Sequence, residues 1–250
     1  MSNLASFKIA ALACCCFLPT QLNAVDAPSD RPLEYVLDRY IENMGGRASI
    51  EQIKSIRLSG TITYDDGQRH RITVLKKKPN LARIVLDAGF LRVIQAYNGQ
   101  NAWFASEAGK NVSYSRMEGK MRDTFIREAP LENVLFHPSN DKVTIELGED
   151  VQVAMQPCYQ VIARFADGTK TVFHIDKGEF VERRILEFDT DGKLLNELIP
   201  GKFETYDGVV FAMQIVRLEN GEMVSTLTFD ELETNVGILD TAFNPPVEIP

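Results

Sequence analysis

The chain reads as a mainly β protein of the α+β class, one large antiparallel meander accompanied by a few helices. Three observations predict it. Asp66-Gly67, Asn98-Gly99, Asp167-Gly168, Asp191-Gly192 and Asn220-Gly221 each stand between short stretches rich in Val, Ile, Phe and Thr. Asp-Gly and Asn-Gly suit two-residue hairpin turns, whose central positions both take positive φ. The intervening stretches alternate apolar and polar residues with the period of a half-buried strand. No linker interrupts the succession, so it describes a single sheet.

Bulk properties agree. The chain has 250 residues, 44% of them hydrophobic and 25% charged, an ordinary globular balance that fills a core. The net charge of -8 suits neither nucleic-acid phosphates nor electrostatic docking on anionic lipid.

The first residues read as a processing segment. Lys8 supplies a sparse positive region and Ile9 to Leu18 a short apolar run, too short to span a bilayer. Leu22-Asn23-Ala24 suits a small-residue cleavage site, giving a signal peptide over 1–24 and export to the periplasm. The alternative is an outer-membrane lipoprotein, with Leu12-Ala13-Cys14-Cys15 as the lipidation sequence and lipid on Cys15. After cleavage only Cys158 remains. It has no internal disulfide partner, and at the start of a strand-like run it reads as a small packed hydrophobe.

Residues 25–250 read as one domain. Ser29 or Asp30 caps a helix with Pro32 in its first turn. Leu33, Val36, Leu37, Tyr40, Ile41 and Met44 share one of its faces, and Gly45-Gly46 ends it. A second short helix over Ala48–Lys54 turns Ile50 and Ile53 inward. Strands follow over Arg57–Tyr64, Arg69–Lys76 and Ala82–Asp87, then a hairpin around Asn98-Gly99. Residues 107–140 break the alternation and read as a helical insertion, with Met117, Met121 and Phe125 forming a stripe. An insertion of helices cannot hydrogen-bond into the sheet, so it is placed as a lid over one face. The meander then resumes to about residue 230, for about ten or eleven strands in all. The apolar face of such a sheet must be covered. A closed barrel or a helix-plugged half-barrel would do so, and an incomplete plug leaves a greasy groove.

The order of elements resembles a known superfamily. The helix ends Tyr40-Ile41-Glu42-Asn43-Met44-Gly45-Gly46. Ile53-Lys54-Ser55-Ile56-Arg57-Leu58-Ser59-Gly60 follows, then Lys78-Pro79-Asn80 and Ala96-Tyr97-Asn98-Gly99-Gln100-Asn101-Ala102-Trp103. Tyr206-Asp207-Gly208-Val209 and Phe243-Asn244-Pro245-Pro246 stand near the end. The arrangement resembles the outer-membrane lipoprotein-sorting, or LolA/LolB-like, superfamily of Gram-negative envelope proteins. The resemblance implies an unclosed antiparallel β-barrel of about eleven strands with a helical lid. It implies a hydrophobic cavity that shields acyl chains in transit through the periplasm, with neither catalysis nor a cofactor. In the carrier it resembles, an arginine helps hold the lid closed, and Arg69, Arg71 and Arg83 are available here. Burial of an acyl chain gains about 0.8 kcal/mol per methylene, ample energy for binding.

Alternation assigns the cavity-facing positions. They are Ile72 and Val74, Ile84 and Leu86, Tyr159, Val161 and Phe165, and Phe173 and Ile175. Phe211, Met213, Ile215, Leu227 and Phe229 complete the sheet's share. A one-residue slip would reverse any strand. Met117, Met121 and Phe125 add the lid's side. Trp103 is placed at the cavity mouth, although it suits a core anchor equally. Methionine suits an adaptable cavity because its side chain is flexible and polarizable, and Met223 joins the list on that ground.

Catalytic signals are weak. His70 and His174 sit in strand patterns and His137 in a loop, with no HExxH, no CxxC and no metal-ligand spacing. Nothing selects a carboxylate pair, and no GxSxG elbow is present. Lys76-Lys77-Lys78 reads as a solvated strand end or a contact for headgroups or an acidic partner. The sequence therefore predicts a monomeric, non-enzymatic periplasmic binder or carrier of lipoproteins, lipids or another hydrophobic ligand. Its partners would be acyl chains and an envelope transport or receptor protein. The alternative is an envelope sensor or scaffold that binds a protein through the same shell.

Overall fold

The computed structural model describes residues 31–137 and 142–246. The signal peptide, the Cys14–Cys16 run, the capping residues Ser29 and Asp30, and Pro138 lie outside them.

Two helices open the described chain, α1 (Leu33–Asn43) and α2 (Gly46–Gln52). Pro32 itself holds the N-cap position of α1 without a side-chain cap, since proline's missing N–H costs nothing at a helix start. The first sheet segment comprises β1 (Ser55–Tyr64), β2 (Arg69–Lys77), β3 (Leu81–Asp87), β4 (Arg92–Tyr97), β5 (Ala102–Ala108) and β6 (Asn111–Arg116). Helix α3 (Gly119–Glu128) and a 3₁₀ turn (Val134–Phe136) interrupt it. The second segment comprises β7 (Val143–Leu147), β8 (Val151–Val153), β9 (Gln156–Phe165), β10 (Lys170–Asp176), β11 (Glu182–Phe188), β12 (Leu194–Tyr206), β13 (Val209–Glu219) and β14 (Glu222–Thr234). A last 3₁₀ turn covers Asp240–Phe243.

All strands join one antiparallel sheet, in the order β6-β5-β4-β3-β2-β1-β14-β13-β12-β11-β10-β9-β7, with β8 beside β9. The sheet is not closed, and β6 and β7 are its ends. It has fourteen strands among the described residues, against the ten or eleven expected. One addition lies inside the supposed helical insertion. Residues 111–116 pair with β5 from Ala108↔Asn111 to Trp103↔Arg116, because Val112 and Tyr114 alternate with small polar residues. Among the described residues of 107–140 the helical part is thus confined to α3 and the 3₁₀ turn.

The hairpins deviate from the expected turns in an instructive way. Both central residues take positive φ at Asn220-Gly221 and at Asp207-Gly208, whereas at residues 66–67, 98–99, 167–168 and 191–192 only the glycine does. There the acidic or amide side chain stabilises a longer turn by accepting backbone N–H groups. Asp66 Oδ1 accepts from Gln68 N at 2.9 Å, Asn98 Oδ1 from Asn101 N at 2.8 Å and Asp167 Oδ1 from Thr169 N at 2.9 Å.

Strand alternation sends one set of side chains to a concave face. Ile56, Leu58 and Val74 meet Met213, Phe229 and Leu232 there, together with Val161, Phe173 and Ile175 from the far side of the sheet. Helix α1 fills one end of this face with Val36, Leu37, Tyr40 and Ile41, as its periodicity predicts. Gly45 ends α1 against the β12–β13 turn. Its φ is 115°, and a Cβ there would stand 2.0 Å from Gly208 O, so no other residue fits.

A buried polar cluster fastens this plug. Tyr40 Oη donates to Glu182 Oε1. Asn133 Nδ2 donates to Tyr40 Oη at 2.8 Å and to Glu182 Oε1 at 3.1 Å. The Oδ1 of Asn133 accepts from Leu135 N at 2.9 Å and so caps the 3₁₀ turn. Burial raises the Glu182 carboxyl above its ordinary range. Burial, then the Glu182 charge, holds the Tyr40 phenol protonated. The three groups satisfy one another where water does not reach, which a buried carboxyl requires.

The opposite face has its own small core. Ile94, Ala96, Trp103 and Ala105 cluster there, and the chain after β14 crosses over them as a strap. Trp103 Nε1 donates to Phe243 O at 2.9 Å, Arg83 to Ala242 O at 2.7 Å and Lys77 Nζ to Ile238 O at 2.7 Å. Trp103 is therefore a core anchor rather than part of a cavity mouth. It alternates with Ala102 and Phe104, which face the other side, and it is 1% exposed.

Two stability predictions follow from these anchors. Tyr40→Phe deprives buried Glu182 of a donor and should lower the urea-unfolding free energy by about 1–3 kcal/mol. Tyr35→Phe, at a site 38% exposed, should change it by under about 0.5 kcal/mol. Phe243→Ala should cost about 3–5 kcal/mol and shift the emission of Trp103, the only tryptophan, to the red as the strap loosens.

Candidate functional site

The concave face is not filled along its whole width. Beyond the reach of α1 runs a band of half-buried aliphatic side chains. Leu86 lies opposite Ile72, and Ile72 opposite Gly60. Ile62 lies opposite Leu227, and Leu227 opposite Ile215. The band crosses β3, β2, β1, β14 and β13 without a break. It bends at Gly60, where the register with β14 shifts and a Cβ would stand 2.1 Å from Thr228 O. Such a bulge sharpens the curl of the sheet and makes the face a groove.

Helix α3 lies across this face as a cover. On one side Phe125, Met117 and Ala129 pack on Ala82, Tyr97 and Ala102. On the other, Arg127 donates to Thr169 Oγ1 at 2.8 Å and stacks 4.9 Å from the Phe165 ring centre. Lys120 approaches Asp189 at 3.8 Å. Lys76 Nζ, on β2, donates to the carbonyls of Glu128 at 2.6 Å and Pro130 at 2.9 Å. A cation on the last carbonyls of a helix complements its dipole. Only Phe125 of α3 is buried, against four residues of α1. Few apolar contacts and several solvent-accessible polar ones make α3 the less firmly held of the two.

The sequence marks Lys76 as a strand end or headgroup contact and Glu187 as one of many carboxylates, but places neither beneath this cover. Lys76 shares the parity of Ile72 and Val74, and Glu187 opposes Thr171 on the concave side. Both signals were present in the alternation, but Lys76 read as the end of a strand. Glu128, the last residue of α3, is exposed at the surface. Reduced hydration at the end of α3, then the Glu187 carboxylate, shift the Glu128 carboxyl upward, to about 7 at most because solvent still reaches it. Burial likewise pushes Lys76 down to about 8, with Glu128 opposing the shift. The arginines put forward as lid fasteners do not serve. Arg83 holds the strap, while Arg69 and Arg71 are exposed on the outer surface.

The predicted cavity residues divide. Ile72, Ile84, Leu86, Ile215 and Leu227 are half-buried, as are Phe165 and Phe211. Val74, Tyr159, Val161, Phe173, Ile175, Met213 and Phe229 face the same side but are packed core. Met117 and Phe125 are buried under α3, whereas Met121 is 57% exposed and Met223 is 51% exposed. Met121 falls outside the packed stripe, in the first turn of α3, where Lys120 approaches Asp189.

Other candidate chemistry lies elsewhere. His174, on the outer face, is pushed down to about 4 by burial and by Arg184. His137 pairs with Glu132 in an exposed loop. A separate cleft of about 830 Å³ opens on the outer side of β1, β2 and β14 among Arg57, Ser59, Thr73, Asp230, Glu231 and Glu233, too polar for an apolar ligand. Among the described residues no cluster of three or more His, Cys, Asp and Glu is arranged to hold a metal ion.

The upward shift of Glu128 predicts a pH-dependent cover. The Glu128 pKa is raised in the folded state, so its contribution to docking of α3 is present below the ordinary carboxylate range and is lost as pH rises through about 7. Hydrogen exchange of residues 119–128 should therefore quicken from pH 5 to pH 8 beyond the intrinsic rate, and Glu128→Gln should flatten that excess. Lys76→Met should quicken exchange at every pH.

No protein-family model and no curated protein matches the chain. Solved structures do. A DUF1329 family protein from Desulfovibrio piger superposes with a TM-score of 0.61 at 15% identity, covering 85% of this chain and 97% of its own. A putative outer membrane lipoprotein-sorting protein domain from Vibrio parahaemolyticus gives 0.58 at 14% identity, covering 84% and 97%. A LolA superfamily protein from Nitrosomonas europaea gives 0.56 at 14% identity, covering 85% and 97%. At such identities the likeness is one of fold: the chain shares the unclosed, helix-covered antiparallel sheet of the DUF1329 and LolA-superfamily structures.

Proposed function

We propose that the chain is a non-catalytic periplasmic binder or carrier of a hydrophobic ligand, namely the acyl chains of a lipid or lipoprotein. The observation that carries this reading is the half-buried aliphatic band from Leu86 to Ile215, which faces the core side of the sheet yet is left open by α1. An apolar band in a groove gains free energy when an acyl chain displaces its water, at about 25 cal/mol per Å². Helix α3, held over the face largely by polar anchors, can part from the sheet at low cost and reseat over a ligand. Lys76, Glu128 and Glu187 then lie where the polar end of an amphiphile would emerge. The likeness of fold to a lipoprotein-sorting domain supports the reading, and export after cleavage near Ala24 belongs to it.

The test is native mass spectrometry of protein purified from envelopes, followed by organic extraction and titration with a fluorescent fatty acyl probe. Leu227→Asp and Ile215→Asp place a charge in the band without emptying the packed core, and each should weaken probe binding at least about tenfold. Thr73→Asp, on the outer face, should leave binding unchanged. A protein that arrives empty and takes up no probe would shift the reading to a scaffold that binds an envelope protein.

A further inference from the structure

The aliphatic band gives way to a polar row at one border. Its last row is Ile62, Leu227 and Ile215, directly opposed across β1, β14 and β13. Two residues further along each strand stand Tyr64, Ser225 and Arg217, again directly opposed. Side chains two positions apart share a face, and both registers are unbroken between the two rows. The polar row therefore lies on the concave side, about 7 Å beyond the aliphatic one. His70, opposite Ile62 on β2, rests its ring 5.5 Å from that of Tyr64.

This row holds donors that the protein leaves unused. Ser225 is 5% exposed, and among the described residues nothing bonds its hydroxyl. A buried hydroxyl without a partner costs free energy, which a ligand atom recovers. Arg217 Nε donates to Asn196 Oδ1 at 3.1 Å and its Nη2 meets Glu219 at 2.6 Å, so Nη1 remains. The Arg217–Glu219 pair is open to water, with side chains 42% and 50% exposed, and such pairs hold weakly. Asn196 Nδ2 donates in turn to Glu187 Oε2 at 2.7 Å. Asn196 thus joins the row to the Glu187 end of the groove and separates that carboxylate from the guanidinium. Lys76, by contrast, is taken up by the carbonyls of Glu128 and Pro130.

We propose that Arg217 and Ser225 bind the anionic group, a phosphate or a carboxylate, of an amphiphile whose acyl chain lies along the band from Ile215 to Leu86. The assignment rests on the ligand reading above and adds a headgroup class to it. A guanidinium offers a planar fork of donors that fits either oxyanion, and Ser225, one strand away, offers a hydroxyl. Directly opposed side chains start about 5 Å apart, close enough for one headgroup to meet both. The tail then begins on Ile215 and Leu227, in the next row. An uncharged head would leave the fork unused, so the row discriminates by charge as the band discriminates by apolarity.

Dodecyl phosphate, dodecanoate and dodecanol share one tail and differ at the head. Isothermal titration calorimetry of each, below the micelle concentration, tests the site with the wild-type chain, Arg217→Gln, Glu219→Gln and Arg71→Gln. The anions should bind wild type about three- to tenfold more tightly than dodecanol. Arg217→Gln should abolish that margin. Glu219→Gln removes the competing carboxylate and should widen it, a gain that damage to the fold cannot mimic. Arg71→Gln, on the outer surface, carries the same change of net charge as Arg217→Gln and should keep the wild-type margin. A stronger grip on the phosphate points to a phospholipid head and a stronger grip on the carboxylate to a free fatty acid; either supports the site. Equal binding of all the probes to wild type, or a margin that survives Arg217→Gln, would overturn the headgroup site and leave the acyl groove standing. Failure of every probe to bind would overturn the groove and the headgroup site together.

Discussion

Nearly every strand of this sheet turns apolar side chains to the same side, and keeping that face from water is the constraint on which the rest of the molecule depends. The sheet runs from β6 to β7 without closing, so it cannot bury the face by meeting itself. It curls instead, sharply at the Gly60 bulge, and takes helices into the hollow. Helix α1 does this with an apolar stripe of four buried residues. The Tyr40–Glu182–Asn133 cluster then ties that helix, the sheet and the 3₁₀ turn after α3 to one another. A buried carboxyl with two donors fixes orientation more sharply than aliphatic packing does, because only one arrangement satisfies it.

The two helical covers differ in kind. Helix α1 is a permanent part of the core, and its removal would expose Val161, Phe173 and Ile175. Helix α3 contributes one buried side chain of its own and leans on Lys76, Arg127 and Lys120. A cover made of polar contacts can open without unfolding what lies beneath it, which a binding protein needs and a purely structural plug does not. The strap over Trp103 braces the outer side of β3 to β5, so that opening on the concave side need not flatten the sheet behind it.

Much of the fold was legible in the chain. The period-two pattern located the long strands, and the 3.6-residue pattern located the buried face of α1 through Val36, Leu37, Tyr40 and Ile41. Strand β6 was harder to read, because its only strong β-formers, Val112 and Tyr114, sit among Asn, Ser and Arg. Trp103 was ambiguous because parity says only that it opposes Phe104, not which face is concave. The candidate groove was legible as a set of positions but not as a groove. Phe173 and Leu227 have the same alternation, and nothing local says that α1 covers one and leaves the other half open.

The sequence by itself determined side-chain parity, the turns and the helix faces, because these depend on residues only a few positions apart. Tertiary structure decided which apolar positions became core and which became groove. It also put Lys76 under the carbonyls of α3 and Glu182 under Tyr40. Those outcomes depend on groups 52 and 142 positions apart in the chain. They are brought together by the curl of the sheet, to which no local pattern corresponds.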